Sequence, residues 1–126
     1  MKEIWKDIPR FEGYQASSFG RIRSIPRVIF RNDFPVFLKG LIFKQTIHTS
    51  GYYRVPIRVN GYTKYHYVHR LIAITFLGSI PLGYDIDHID HCRANNLLSN
   101  LRYITVKENR GIKGNKHAKK WENYTR

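Results

Sequence analysis

Acidic side chains are concentrated in one short stretch in the last third of a basic chain. Asp85, Asp87 and Asp90, three of the nine acidic residues, fall within six positions, and His88 lies among them. Carboxylate oxygens are ligands that Mg²⁺ prefers. A histidine, with an ordinary pKa of about 6.5, accepts a proton near neutral pH. The stretch therefore predicts a cation among the acidic groups and an anionic partner around it.

The local pattern predicts the elements that position these side chains. Alternation in residues 85–90 predicts a strand with His88 on one face and Asp87 on the other. Asp85 shares the face of Asp87, because side chains two residues apart point to the same side of a strand. Residues 91–99 are polar and rich in turn-forming residues, which predicts a loop.

A second strand and a helix are predicted to follow. Residues 101–104 alternate in the same way, and we expect them to pair antiparallel with the first strand. Thr105 and Glu108 fit a capping box, which predicts that a helix begins at Val106. Asn109 then lies in the first helical turn or just beyond it, where it can face the first strand.

These residues resemble the HNH nuclease motif of phage and intron-encoded homing endonucleases, which is a ββα-metal fold. The resemblance implies that Asp87 and Asn109 hold a metal ion and that His88 is the general base. It implies that Asn100, thirteen residues after Asp87, braces the loop and orients the histidine. The flanking words that agree are VHRLIA at 68–73 and NLLSNL at 96–101. Where the family often has glycine after HID, this chain has His91-Cys92, so the loop is expected to differ locally.

The first 25 residues carry a second resemblance. The words W-K-x-I-P, E-G-Y and S-x-x-G-R-I-x-S resemble the NUMOD4 module that is found ahead of homing-type HNH domains. The expected fold class is α+β, with a small β-rich module followed by the ββα-metal unit. The expected boundaries are 1–60 for the NUMOD4-like DNA-binding module, 61–112 for the nuclease core and 113–126 for a basic C-terminal arm.

Several elements of the N-terminal part can be predicted from its residues. Asn60-Gly61 between alternating runs predicts a tight hairpin, and residues 68–77 have the periodicity of an amphipathic helix. Shorter strands are expected at 28–30, 36–38 and 41–43. The expected core anchors are Trp5, Ile8 and Tyr14.

Near the other end of the chain, Gly111 and Gly114 predict that the residues after Asn109 form a poor helix.

Length and composition bound the protein class. The 126 residues form one domain or two small modules that share a core, and 42% hydrophobic residues are enough to build one. No run approaches the roughly 20 apolar residues that span a bilayer, and the first ten residues lack an apolar signal region. Cys92 is the one cysteine, which excludes an internal disulfide. We expect a protein of the cytoplasm of a bacterial or phage-infected host cell, without a membrane partner.

Positive charge is concentrated in the middle of the chain. The formal net charge is +13, and residues 21–80 hold ten basic side chains but one acidic side chain. This predicts a polyanionic partner, which the resemblance specifies as double-stranded DNA bound by a monomer or homodimer. Arg21 and Arg23 share one strand face, and Arg54 and Arg58 share another. The expected DNA-contacting residues are Arg21, Arg23, Arg54, Arg58, Arg70, Arg110, Lys113 and Lys116.

The resemblance implies a metal-dependent DNA endonuclease with one Mg²⁺, or another divalent ion such as Mn²⁺, in each active site. The products would carry 5′-phosphate and 3′-hydroxyl ends. Three alternatives remain at this point: a DNA-binding protein that retains the HNH fold without catalysis, a zinc module built on His88, His91 and Cys92, and an RNA-binding protein of ribosomal type. The occupied base and metal positions argue against the first. No distant Cys or His pair completes a tetrahedral zinc site, and an RNA-binding protein has no reason to hold Asp87, His88 and Asn109 in this arrangement.

Overall fold

The computed structural model describes residues 1–116, and this part of the chain has an α+β fold. The strands are β1 (Trp5–Asp7), β2 (Tyr14–Ser17), β3 (Ile22–Ser24), β4 (Arg27–Arg31), β5 (Phe34–Leu38), β6 (Thr46–Ile47), β7 (Tyr53–Val59), β8 (Tyr62–Tyr67), β9 (Tyr84–His88) and β10 (Leu101–Thr105). The helices are α1 (Val68–Phe76) and α2 (Val106–Lys116), and a single 3₁₀ turn covers Leu98–Asn100.

The strands form four small antiparallel sheets in the described part of the chain. The orders are β1-β2-β3, β4-β5, β6-β7-β8 and β10-β9. The predicted hairpin at Asn60-Gly61 is confirmed: it joins β7 to β8, and both turn residues have positive φ, 51° and 82°. Positive φ at both central positions is the signature of a type I′ turn, whose twist matches that of the flanking strands. Asn32 and Asp33 join β4 to β5 in the same way, with φ of 50° and 66°.

One hydrophobic core joins the N-terminal strands to the part that carries the acidic stretch. Ile22 of β3, Ile57 of β7 and Ile72 of α1 are all 0% exposed, and Leu101 of β10 belongs to the same cluster. Ile8 and Tyr14 are buried there as expected. The core therefore holds β9, β10 and α1 in a fixed relation to the β-rich part. The proposed boundaries at 60/61 and 112/113 stay a prediction.

The predicted order of strand, loop, strand and helix is confirmed. β9 and β10 pair antiparallel with His88 opposite Leu101, and α2 begins at Val106. The Oγ1 of Thr105 accepts the N–H of Glu108 at 3.1 Å, which is the expected N-terminal cap.

Three expectations about local structure are corrected. Trp5 is half-buried and lies under the guanidinium of Arg23, 4.0 Å from its ring, so it is not a core anchor. Residues 41–43 form one isolated bridge, Arg23 to Ile42, and not a strand. α2 continues through Gly111 and Gly114 to Lys116. The capped first turn supplies the costly nucleus of the helix, after which residues of low propensity can extend it.

The proposed basic arm 113–126 is thus helical over its first four residues, and its remainder lies outside the described residues. Neither helix in the described residues is long and apolar enough to cross a membrane.

Candidate active site

The β9–β10 hairpin presents different chemistry on its two faces. His88 packs toward α1, where its ring lies 5.2 Å from the ring of His69, centroid to centroid. Asp85 and Asp87 point to the opposite face, because strand side chains alternate, and Asn109 of α2 contacts Asp85 there. The predicted separation of the histidine from the acidic groups is therefore observed.

His88 is a buried histidine held by an asparagine of the loop. Its Nε2 lies 2.8 Å from the Oδ1 of Asn96. Since a carbonyl oxygen accepts, Nε2 carries the proton and Nδ1 keeps the lone pair in the neutral ring. Burial lowers the pKa of His88 below its ordinary value, although the hydrogen bond to Asn96 and the charge of Asp87 act in the opposite direction. A neutral imidazole at pH 7 can accept a proton.

Aromatic rings enclose the histidine on the α1 side. The ring of Tyr52 stacks on His69 at 4.6 Å and lies 5.9 Å from His88, centroid to centroid. Burial also lowers the pKa of His69 well below its ordinary value, and the neighbouring His88 adds to the effect. Two neutral rings can therefore pack together without charge repulsion.

Asp87 is buried and paired with a cation from the neighbouring strand. Its Oδ2 accepts the Nε–H of Arg102 at 2.9 Å, and the Arg102 side chain is about half exposed. The two residues are direct cross-strand partners, so the antiparallel register places the guanidinium beside the carboxylate.

Asn109 is the most buried of the predicted site residues, at 2% exposure. Its Nδ2 donates to the Oδ2 of Asp85 at 2.9 Å, and its Oδ1 is buried without a hydrogen-bond partner among the described residues. A buried acceptor left unsatisfied costs about 1–3 kcal/mol. The oxygen is thus available to bind a ligand.

Asn100 ties together the two ends of the loop between β9 and β10. Its Oδ1 accepts the N–H of Asp90 at 3.0 Å, and its Nδ2 donates to Asp90 Oδ1 at 2.9 Å and to the carbonyl of Asn95 at 2.8 Å. Hydrogen bonds from Asn95 and from the N–H of Cys92 lower the pKa of Asp90. The loop is therefore braced by side chains, whereas the bond to the histidine ring comes from Asn96.

The β9–β10–α2 unit contains two candidate oxygen ligands for a divalent cation. Mg²⁺ keeps several waters and is held by one or two carboxylates together with substrate phosphate. Asp87 supplies a carboxylate, and Asn109 supplies the buried amide oxygen that lacks a partner in the described part. Asp87 and Asn109 are the residues that would hold the ion, and this ligand set stays a prediction.

Comparison with known proteins finds similarity to nucleases over most of the chain. Residues 3–58 match the NUMOD4 motif, and residues 66–110 match the HNH endonuclease family. DNA endonuclease I-HmuI of Bacillus phage SP01 is 38% identical over 106 residues, which are 83% of this chain and 54% of that protein. The solved structure of DNA binding and cleavage by the HNH homing endonuclease I-HmuI matches with a TM-score of 0.69 and 34% identity, over 94% of this chain and 64% of that one. The chain therefore carries a segment, residues 66–110, that matches the HNH endonuclease family.

A prophage relative agrees with the family over a shorter stretch. YosQ of Bacillus subtilis (strain 168), an SPbeta prophage-derived protein named as an HNH homing endonuclease, is 45% identical over 47 residues, 37% of this chain and 27% of that protein. The present chain spans about half the length of I-HmuI.

Two of the predicted DNA contacts of the chain are engaged within the protein. Arg21 pairs with the carboxylate of Glu3, and Arg23 donates to the Oε1 of Gln15 at 2.7 and 2.9 Å. Both guanidinium groups lie over the ring of Trp5. Any role in DNA contact would have to compete with these internal partners, and it stays a prediction.

The other predicted contacts occupy several surfaces of the chain. Arg54 lies over the ring of Tyr65 at 4.3 Å, and the neighbouring Arg58 on the same strand face is exposed. Arg70 lines a cavity of about 310 Å³ together with Asp85. Arg110 is exposed on α2. Lys113 and Lys116 lie on α2, and their side chains are outside the described residues.

Three polar residues of the HNH site had no predicted role. The contacts of Asn96 and Arg102 depend on the length of the loop and on the strand register, and the residue pattern determines neither. Asp85 was visible as part of the acidic stretch, but its pairing with Asn109 depends on how α2 crosses β9. The Asp87–Arg102 pair could have been identified only with knowledge of the strand register, which sets the two residues opposite each other.

The zinc alternative has no support in the geometry. The described residues contain no group of three His, Cys, Asp or Glu side chains that could hold a metal ion. Cys92 is exposed, and the Nε2 of His88 is engaged by Asn96.

Proposed function

We propose that this chain is a metal-dependent endonuclease that hydrolyses phosphodiester bonds of double-stranded DNA. The observation that carries the proposal is the β9–β10–α2 site, in which a neutral histidine, a carboxylate and an unsatisfied amide oxygen are buried within one small unit. The HNH family match and the I-HmuI likeness support it. Two of the relatives, I-HmuI and YosQ, come from a phage and a prophage, which favours the cytoplasm of a bacterial or phage-infected cell.

His88 is the general base in this proposal. The hydrogen bond to Asn96 holds the ring with Nδ1 as the basic atom, and burial keeps the ring neutral at the pH of the cell. Nδ1 takes a proton from the water that attacks the phosphorus. A positioned base of this kind contributes roughly 10²–10⁴-fold to rate.

Asp87 and Asn109 hold one divalent ion, Mg²⁺ or a similar cation such as Mn²⁺. When bound, such an ion stabilises charge on the phosphate and on the departing 3′ oxygen. Asn100 keeps the loop in place, and Arg102 supplies positive charge beside the carboxylate. Water attacks the phosphorus, the bond to the 3′ oxygen breaks, and the departing oxygen takes a proton from solvent, which leaves 5′-phosphate and 3′-hydroxyl ends.

DNA binding is assigned to the basic surfaces of the chain. Residues 21–80 carry a surplus of nine positive charges, ten basic against one acidic. Neutralising phosphates with such side chains releases counterions, which supplies sequence-independent affinity. One active site cuts one strand in each binding event, so a double-strand break needs a homodimer or a second visit by a monomer.

Incubation with supercoiled plasmid tests the proposal. The protein with Mg²⁺ is expected to convert the plasmid to nicked or linear forms, and chelator is expected to stop the reaction. His88→Ala should lose cleavage by 10²-fold or more while still binding DNA. His91→Asn is a matched control in the same loop, since Asn tolerates the positive φ of 63° at that position. Intact plasmid with Mg²⁺, Mn²⁺ and other divalent ions, together with normal DNA binding, would favour the non-catalytic DNA-binding alternative.

A further inference from the structure

The bond between Asp85 and Asn109 links the first strand of the HNH unit to its helix at the ion site. Asp85 is 3% exposed and Asn109 is 2% exposed. The Nδ2 of Asn109 donates to the Oδ2 of Asp85 at 2.9 Å. Asp85 lies two residues before Asp87 on β9, so both carboxylates project from the same face of the strand.

The chemistry of this contact decides which way the amide of Asn109 points. The Nδ2 of Asn109 faces the Oδ2 of Asp85, and in this contact the NH₂ group donates and the carboxyl oxygen accepts. The opposite end of the amide is then the oxygen, and this is the buried atom that has no hydrogen-bond partner among the described residues. A cation is bound by the oxygen and repelled by the NH₂ group, so the orientation of the amide determines whether Asn109 can be a ligand.

We propose that Asp85 is the positioning residue of the ion site, which holds the Asn109 amide with its oxygen presented to a divalent cation. The inference rests on the proposed function for the identity of the ion ligands. It differs from a direct-ligand role, in which Asp85 would itself bind the ion, and from a packing role, in which Asp85 would only fasten α2 to β9. Outer partners that orient metal ligands typically change metal affinity by 10–100-fold when removed.

Two substitutions at the same position separate these roles. Asp85→Asn retains an oxygen that can accept the Nδ2–H of Asn109, and Asp85→Leu removes the acceptor while keeping the same branching at Cγ. We expect Asp85→Asn to stay within about threefold of the unmodified protein in Mn²⁺ affinity, and Asp85→Leu to weaken it by about 10–100-fold. Equal losses in the two variants would overturn the proposal. Glu12→Leu, which removes an exposed carboxylate elsewhere, controls for the change in net charge.

Mn²⁺ binding should be measured directly by the loss of the free-ion electron paramagnetic resonance signal in the presence of a DNA duplex. All variants are made in the His88→Ala background, so that the DNA stays intact. Affinity is then read without cleavage, and failure of the plasmid assay would reject the proposed function while leaving the effect of Asp85 measurable. No Mn²⁺ binding by the parent protein would overturn both.

A double-mutant cycle excludes a packing role. If Asp85 acts through Asn109, then Asp85→Leu adds no further loss of Mn²⁺ affinity to Asn109→Ala, because the ligand is already absent. Additive losses would show that Asp85 acts on the ion independently of Asn109 and would overturn the proposal. A melting temperature lowered by Asp85→Leu, with Mn²⁺ affinity of the folded protein unchanged, would assign Asp85 to packing and would overturn it equally.

Discussion

At the scale of single residues, the site is defined by which atom of each side chain remains available after its neighbours are satisfied. Asn96 engages Nε2 of His88 and leaves Nδ1, and Asp85 engages Nδ2 of Asn109 and leaves Oδ1. In both pairs an acceptor holds the N–H end of its neighbour. The basic nitrogen and the amide oxygen are therefore selected by hydrogen bonding and not by residue type alone.

Asn96 gives a prediction for the histidine. Asn96→Ala removes the acceptor for the Nε2 proton, so the neutral ring is no longer held as one tautomer. The rate of cleavage should fall by roughly 10-fold or more, the usual loss when a hydrogen-bond partner that orients a functional side chain is removed. DNA affinity should stay unchanged. Nitrogen chemical shifts of the His88 ring measure the tautomer. An unaltered tautomer with full activity would show that another group orients the ring.

The buried histidines predict an acid-sensitive fold. The folded-state pKa values of His69 and His88 both lie below the ordinary 6.5. Below about pH 6.5 the histidines of the unfolded chain therefore bind protons that those of the folded chain do not bind. The contribution of the two histidines to stability is fully present above the pKa of the unfolded state and is lost as the pH falls below about 6.5. Calorimetry should show a melting temperature that is level above pH 7.5 and falls between pH 6.5 and 5. His69→Gln should reduce that slope; an equal slope would place the acid sensitivity elsewhere.

At the scale of elements, patterns with a local cause were predictable and pairings across a long loop were not. The N-terminal cap at Thr105 and the Asn60-Gly61 turn depend on neighbouring residues, and both are confirmed. The register that sets Arg102 opposite Asp87 depends on a twelve-residue connection between β9 and β10. The partner of Asn109 depends further on the angle at which α2 crosses the hairpin. Family resemblance predicted the ligands Asp87 and Asn109, whereas the contacts of Asp85, Asn96 and Arg102 were identified only from the structure.

The loop brace gives a prediction at this scale. Asn100→Ala removes three hydrogen bonds, whose net contribution to stability is about 1–3 kcal/mol in total. The melting temperature should fall by roughly 4–12 °C for a domain of this size. Ser99→Ala, at an exposed neighbouring position, should change it by less than about 2 °C. Equal melting temperatures for the two variants would show that the loop does not depend on Asn100.

Across the whole molecule, the small nuclease unit shares its core with a larger basic β-rich part. Ile22, Ile57 and Leu101 lie in one cluster, so the sheets cannot be displaced without moving β10 and the site. This arrangement suits a protein that binds DNA through one part and presents a phosphate to another. It also means that Arg54 and Arg58 of β7 are held at a fixed distance from His88.

The last prediction concerns which basic surface carries the DNA. Arg54 and Arg58 lie on the outer face of β7, opposite the buried Val55 and Ile57, whereas Arg21 and Arg23 already have internal partners. Each lost phosphate contact flattens the plot of log affinity against log salt by roughly one. Replacing Arg54 and Arg58 by alanine should therefore lower the slope by about two and weaken binding, as measured by fluorescence anisotropy at several salt concentrations.

The matched control is the double variant Arg21→Ala and Arg23→Ala, which removes the same charge from the β3 side. It should change the slope less, because those guanidinium groups must first leave Glu3, Gln15 and Trp5. Truncation after residue 112 should lower affinity independently of both, since it removes the C-terminal lysines. If the control changes the slope more than the β7 variant does, the DNA lies over the β1-β2-β3 sheet, and the outer face of β7 has no part in binding.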